Sequence, residues 1–453
     1  MWLVFRGTAH IEYRQLHKKY GNIVRTAPRV VDISDPDAIP IIYGISSKFI
    51  KSPFYRTMDM SFEDKVMPSL FTTISPDEHK ELKRPVAQKF SMTSIRSLEH
   101  LVDPCSEIFT EAMEDLQGEV VDLGVWLQWY AFDVIGSITF AKRFGFMEKR
   151  EDVKGIISAI EWVLMYAGIV GQVPWLHQFL LGSMLFQKLL RAVSNSDPMK
   201  IASDMVLSAI REHDSGDGSS DRSDFLAYLR QQQKSTGIPI QRREMMNHLL
   251  NNILAGSDTT AISLRAVFYY VIRDKGVYAT LQKEVDEFEA AGRLSPVITY
   301  SESLDMPYLQ ICLKEAMRVH PGVSFPLERI VPKGGVRVSG KHLPEGTIVG
   351  MNAAVIHRNK EIFGEDADAF RPERWMGEEE RVKVMDRHLL TFGAGARTCI
   401  GKNISIMEMG KLVPQVLRQF ELEWASEKPD WNVRTYWFAR QQGLLVRFKS
   451  RKA

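Results

Sequence analysis

FGAGARTCIG, residues 392–401, is the stretch on which the reading of this chain turns. Gly393 and Gly395 take tight turns that a Cβ forbids, and they let backbone approach a flat ligand. Beyond Cys399 a helical pattern starts, GKNISIMEMGKL. Its free N–H groups and positive dipole end point at the sulfur, which predicts a lowered thiol pKa. Arg397 is placed to pair with a carboxylate on a cofactor. Phe392 is placed to shield the sulfur from water. A phosphate-cradling loop is excluded, because Gly395 to Gly401 encloses five residues and Asn403 stands where Ser or Thr belongs. A dinucleotide loop fails as well, since Thr398 replaces its third glycine. For an isolated cysteine, a buried thiol in a glycine turn is the simpler reading, so the rest of the chain must decide.

The chain has 453 residues, of which 45% are hydrophobic and 25% charged, an ordinary globular composition. With 58 basic and 56 acidic residues the net charge is +2, which gives no basic face for nucleic acid. Cys105, Cys312 and Cys399 form no C-x-x-C pair, which argues against disulfides and structural zinc. The apolar run at residues 2–5 is too short for an anchor helix. Residues 162–187 carry no formal charge over 26 positions, long enough to span a bilayer. Gly168, Gly171, Pro174 and His177 interrupt that run, so two apolar helices with a bend are expected instead.

Most of the chain before residue 320 reads helical. Short β-like pieces appear in IVRTAPRVVDIS, VRVSGKHLPEGTIVG and GLLVRF. The polar stretch HDSGDGSSDRSD, residues 213–224, reads as a loop between helices of one domain. The expected class is mainly α: one large helical domain, residues 1–453, with a small β region. The longest helix is predicted over 242–273, about 48 Å at 1.5 Å per residue. It contains AGSDTT, residues 255–260, where Gly256 and the threonines are poor helix formers. A local rule broken inside a helix is where a functional site is expected.

The cysteine stretch resembles the F-x-x-G-x-R-x-C-x-G loop of the cytochrome P450 family. Glu315 and Arg318 in LKEAMRVHP, and FRPERW with Arg374, stand before Cys399 in the order of that family's other motifs. YGNIVRTAP, KRPVAQKFSM and WFARQQGLLVR look most like filamentous-fungal members of the pisatin-demethylase kind. The resemblance implies haem b buried between the long helix and the cysteine loop, with Cys399 as the thiolate ligand of the iron. It implies a buried Glu315–Arg318–Arg374 network beneath that loop. Ala255 and Gly256 would border the cofactor, with a kink at Gly256 leaving room for dioxygen. Thr259 and Asp258 would be catalytic, Thr259 organising a hydrogen bond and Asp258 relaying protons from solvent. Gly401 completes the loop. DEHKELKRP, residues 77–85, departs from the family's W-x-x-x-R element, with His79 for Trp and Lys83 for Arg. His79, Lys83 and Arg329, with Arg84 as an alternative, would hold the haem propionates.

The activity so implied is insertion of one oxygen atom into a small, largely apolar substrate, with electrons from an NADPH-dependent reductase. A haem-thiolate isomerase or dehydratase is the rival, as is a haem-binding sensor; the intact Asp258–Thr259 pair favours the first reading. A monomer at the cytosolic face of the endoplasmic reticulum is expected, peripherally bound through 162–187, with Leu180 and Leu181 toward lipid. Lys80, Lys83, Lys89, Lys402 and Lys411 would form the basic rim for the reductase. Asn251 and Asn252, four before Ala255 and seven before Thr259, share the haem-facing side of the long helix, followed one turn earlier by His248. Asn251 is expected to hydrogen-bond the substrate, while Phe325, Leu327, Trp437 and Phe438 enclose the apolar remainder.

Overall fold

A computed structural model describes residues 2–193, 198–215, 223–236 and 240–451. The helix Arg242–Arg273 runs through the middle of the molecule and is buried along most of its length, from Met245 to Val271. It is enclosed by Leu123–Phe140, Pro307–Val319 and Lys402–Gln419. Leu123–Phe140 is buried at nearly every position, which is why its sequence, LGVWLQWYAFDVIGSITF, has no polar stripe. Asp122 caps it by accepting from the Val125 N–H at 3.3 Å.

The helix runs unbroken through AGSDTT. The hydroxyls of Ser257 and Thr259 donate to carbonyls four residues back, Ile253 at 2.9 Å and Ala255 at 2.8 Å. The chain stays helical at Gly256, which lines the cavity. A Cβ there would stand 2.8 Å from Ile135, so the glycine admits the neighbouring helix.

The β region sits to one side. Its main sheet runs Ile23–Ala27, Val30–Ile33, Ile348–Gly350, Arg329–Ile330, Ile50–Lys51, antiparallel except where Ile348–Gly350 lies parallel to Val30–Ile33. A second sheet joins Val120–Asp122, Leu445–Ser450 and Phe420–Trp424. All three β-like stretches of the sequence are strands. The architecture is mainly α with a small β region.

Residues 162–187 form a bent roof: the helix Ile156–Val170, a 3-10 turn Pro174–Phe179 and the start of Met184–Val193. Val153–Val170 is long and apolar enough to cross a membrane by length and composition. One face of it presses on protein, however. A Cβ at Gly168 would lie 2.7 Å from the Tyr436 carbonyl, and one at Gly171 would lie 2.3 Å from Phe54. Of the polar stretch 213–224, residues 216–222 lie outside those described; its flanks belong to the helices Pro198–Ser215 and Phe225–Thr236.

Candidate active site

Between the long helix and the cysteine loop lies a cavity of about 390 Å³. Ala255, Gly256 and Thr259 form one wall; Phe392, Gly393, Arg397, Cys399 and Gly401 form the wall facing it. The loop folds as its glycines dictate. Gly393 has φ +69° and Gly395 φ +62°, and a Cβ on Gly395 would meet the Tyr43 carbonyl oxygen at 1.7 Å. The Cys399 N–H donates to the Phe392 carbonyl at 2.8 Å, closing the turn.

The Cys399 sulfur opens on the cavity while protein encloses its other sides. Burial pushes its thiol above the ordinary range, and the N–H groups of Gly401 and Lys402 with the Lys402 charge pull back only in part. The lowered pKa expected from the helix end is thus overturned. Desolvation outweighs the dipole until a metal supplies the positive charge. Cys105 and Cys312 are buried in packing, their thiols raised by the same cause.

Beneath the loop, Glu315, Arg318 and Arg374 meet with no solvent at the first two. Arg318 Nη2 and Nε reach the two carboxylate oxygens at 2.7 and 2.8 Å, Arg374 Nε reaches Oε1 at 2.8 Å, and Trp375 Nε1 reaches Oε2 at 2.9 Å. The guanidinium of Arg318 also holds the carbonyls of His357, Ala367 and Ala369. His357 carries this order to the cysteine loop. Its Nδ1 bonds the Arg318 carbonyl at 3.0 Å, and its Nε2 accepts the Leu390 N–H at 2.8 Å. Burial lowers its pKa to about 3, so it is the neutral ring this pattern needs. No motif in the sequence marks His357.

A third wall is cationic. His79, Lys83, Arg329 and Arg397 line it, joined by Lys51, which the sequence reading missed. Arg84 is exposed and absent from the lining. Lys51 stands directly across the sheet from Arg329, an arrangement of like charges that destabilises a bare sheet. Its ammonium lies 4.0 Å from the Tyr55 ring centroid and 4.2 Å from that of Phe71. Burial, then Arg329 and Arg397, hold its pKa well below the usual value. Burial and the neighbouring cations likewise lower His79 to about 4. Arg397 donates to the Thr73 and Ser75 carbonyls at 3.0 and 3.2 Å, which steadies its guanidinium beside the cavity. Basic side chains crowded on one wall, facing a slot with a thiol beneath it, fit a flat iron macrocycle bearing carboxylates.

The cytochrome P450 family model matches residues 1–445. The chain belongs to the cytochrome P450 family. It is 36% identical over 452 residues to cytochrome P450 monooxygenase cicH of Emericella nidulans, covering 99% of this chain and 90% of the relative. It is similarly 36% identical over 461 residues to gsfF of Penicillium aethiopicum, covering 99% and 90%. To mpaDE of Penicillium roqueforti it is 37% identical over 463 residues, all of this chain but 53% of that longer relative. This P450 is accordingly a haem-thiolate monooxygenase, a member of a group found in filamentous fungi.

The structure places the remaining candidates of this P450 unevenly. Thr259 faces the cavity, but Asp258 does not. Asp258 is 5% exposed and turns toward Leu123–Phe140, where Gln128 Nε2 donates to it. Gln128 is held by Arg265 Nη2 and Arg440 Nη2, which both reach its Oε1, at 2.8 and 2.9 Å. Burial raises the Asp258 carboxyl to about 6 despite Arg265 and Gln128. Its expected contact with solvent is absent because this clamp holds it inside the protein.

Asn251, Asn252, Leu327 and Phe438 line the cavity. Trp437 borders it from inside an aromatic cluster, 5.0 Å from Phe54 between centroids. Phe325 does not reach it; its ring stacks on Phe54 at 5.6 Å and serves the core. His248 is also buried away from the lining. Of the reductase rim, Lys80 and Lys402 are exposed, but Lys89 and Lys411 are not. Lys89 donates to the Ser223 carbonyl, and Lys411 pairs with Glu99 and Asp103 at 2.7 and 2.8 Å. Their stems point into the helical body. On the roof, Leu181 lines the cavity and Leu180 is half-buried, while Trp162, Trp175, Phe179 and Leu185 are exposed, the last three most strongly.

Proposed function

We propose that this P450 takes electrons from an NADPH-dependent reductase and inserts one oxygen atom into a small, largely apolar molecule of fungal secondary metabolism. When bound, haem supplies the iron at which dioxygen chemistry occurs, and a thiolate ligand favours O–O cleavage. Cys399 would hold the iron, with Lys51, His79, Lys83, Arg329 and Arg397 holding the propionates. Thr259 is the observation that carries the reading. Its Oγ1 holds a proton at the cavity wall facing Cys399, bonded among the described residues to the Ala255 carbonyl at 2.8 Å. A hydroxyl so placed can hand that bond to a ligand without leaving the helix. Asp258, next in sequence, holds a carboxyl whose pKa of about 6 suits proton exchange near neutrality. A solvated route from Asp258 would require release from Gln128.

An isomerase or dehydratase of this fold has no need of that threonine, and a sensor has no need of either residue. Oxygen uptake by the haem-loaded protein with reductase and NADPH separates the readings. Uptake that depends on reductant supports monooxygenation, whereas turnover of a substrate without reductant or oxygen would overturn it.

We also propose peripheral contact with the cytosolic face of the endoplasmic reticulum through Trp175, Phe179 and Leu185. The reductase would dock near the thiolate, steered by Lys80 and Lys402.

A further inference from the structure

The end of the cavity away from the cationic wall carries polar groups that the haem-thiolate chemistry does not use. Asn251 and Asn252 both line it, and neither carboxamide has a hydrogen-bond partner among the described residues. Asn252 is 8% exposed. Asn247, one turn earlier, is by contrast bonded to the Pro68 carbonyl at 2.7 Å. Two amides in succession that face the cavity without a protein partner must be satisfied by any ligand that excludes water from them, or be left unpaired at a cost.

The roof supplies a third group. His177 Nδ1 lies 2.9 Å from the Tyr166 hydroxyl, and that oxygen accepts the Leu181 N–H at 3.3 Å. A Tyr166 proton given to Nδ1 leaves the ring N–H at Nε2, and the opposite tautomer leaves Nε2 an acceptor, so His177 brings a hydrogen-bonding nitrogen to the cavity lining in either form. The carboxyl of Asp59, 4% exposed at its side chain, also borders the cavity; it shares its charge with Arg56 at 3.8 Å and adds no free cation that would draw an anion. The five basic residues stand on the other wall, toward the propionates.

We infer that Asn251, Asn252 and His177 form a recognition site for a neutral ring ketone or phenol, binding its oxygen while the apolar ring system reaches toward Thr259. The inference rests on the monooxygenase reading and adds the substrate class. Asn251 lies eight residues before Thr259 and four before Ala255. At 1.5 Å rise per residue the anchored oxygen stands roughly 6–12 Å along the helix from the oxidised carbon. A fused ring system spans that distance, and oxidation falls on the ring edge remote from the oxygen.

The test is a Soret-shift titration of the haem-loaded protein with matched pairs, xanthone against xanthene and 9-fluorenone against fluorene. Each pair differs by a carbonyl in place of a methylene. The wild-type protein should bind each ketone on the order of tenfold more tightly. In Asn251→Leu/Asn252→Leu, which keeps the number and branching of side-chain heavy atoms, the preference should fall to about twofold or less. His177→Phe should reduce it partly. Equal affinities within both pairs, a preference that survives the double substitution, or binding by no member of either pair would each overturn the inference. The reduced, CO-bound spectrum is recorded on every variant. An intact thiolate band with no ketone preference removes the substrate assignment alone, whereas a missing band in the wild-type protein removes the haem-thiolate reading beneath it.

Discussion

Glu315→Gln removes one negative charge from a site with no water to replace it. The carboxylate is fully buried and is shared by Arg318 and Arg374, whose side chains are 0% and 2% exposed. Breaking a buried ion pair by removing one partner costs about 3–5 kcal/mol, because the remaining charge is left uncompensated. Here Arg318 loses its carboxylate partner and Arg374 is left with Asp366 alone, at 3.1 Å, so two charges are affected at once and the upper half of that range applies. With unfolding entropy of about 2.1 cal/mol/K per residue, a chain of 453 residues changes its melting midpoint by about 1 °C per kcal/mol. The expected fall is therefore about 4–5 °C. Arg318 also orders the His357 carbonyl, and His357 holds the Leu390 N–H at the start of the cysteine loop. Weakened haem retention should accompany the fall. Thermal melting by circular dichroism, with haem content measured before and after warming, reads both effects. Glu379→Gln, in an exposed pair with Lys383 at 2.8 Å, is the control and should leave the midpoint in place. A Glu315→Gln protein that melts within 1 °C of wild type and keeps its haem would refute the reasoning.

Thr259→Ala should load haem and bind ligand normally, yet divert electrons from product to peroxide; an unchanged ratio of product to NADPH consumed would remove Thr259 from the chemistry. Glu328 is buried and accepts a hydrogen bond from Ser52 at 2.5 Å, and burial raises its carboxyl from 4.5 to about 7. The folded protein keeps a proton there that the unfolded chain has released, so this contribution to stability is full below pH 4.5 and is lost as pH rises through about 7. It amounts to about 3 kcal/mol at about 1.4 kcal/mol per pH unit. Glu328→Gln should flatten the dependence of the melting midpoint over that window, and a variant with the wild-type slope would contradict the assignment. Substituting Trp175, Phe179 and Leu185 with Ser should weaken flotation with liposomes, while wild-type protein that never floats would end the membrane proposal.

The cysteine loop was legible because its chemistry demands special backbone. Gly393 and Gly395 have positive φ, and no other residue type meets the Tyr43 carbonyl so closely. Glu315, Arg318 and Arg374 were legible from motif order, since spacing alone cannot distinguish a buried i,i+3 pair from a surface one. Gly256 stands out in the sequence as a poor helix former, but its packing role is visible only in tertiary structure, where Ile135 lies against it. His357 was hidden. Its role arises from contacts with residues 39 positions before it and 33 after, which no local pattern encodes. Lys51 was hidden differently, in a strand of two residues too short for a readable alternation. Lys89 and Lys411 show the converse error: charge suggested surface, but Lys411 is buried with two carboxylates to receive it. Burial of Phe325 rather than Leu327 depended on which residue of that short apolar run faced Phe54.

The account depends above all on Cys399 as the ligand that sets the character of the iron. The measurement is the absorption spectrum of the reduced, CO-bound protein, wild type beside Cys399→Ala, with Cys105→Ala and Cys312→Ala as controls. The wild-type protein and both controls should show the red-shifted Soret band of thiolate ligation, and Cys399→Ala should lack it. A Cys399→Ala protein that retains the band would contradict the account.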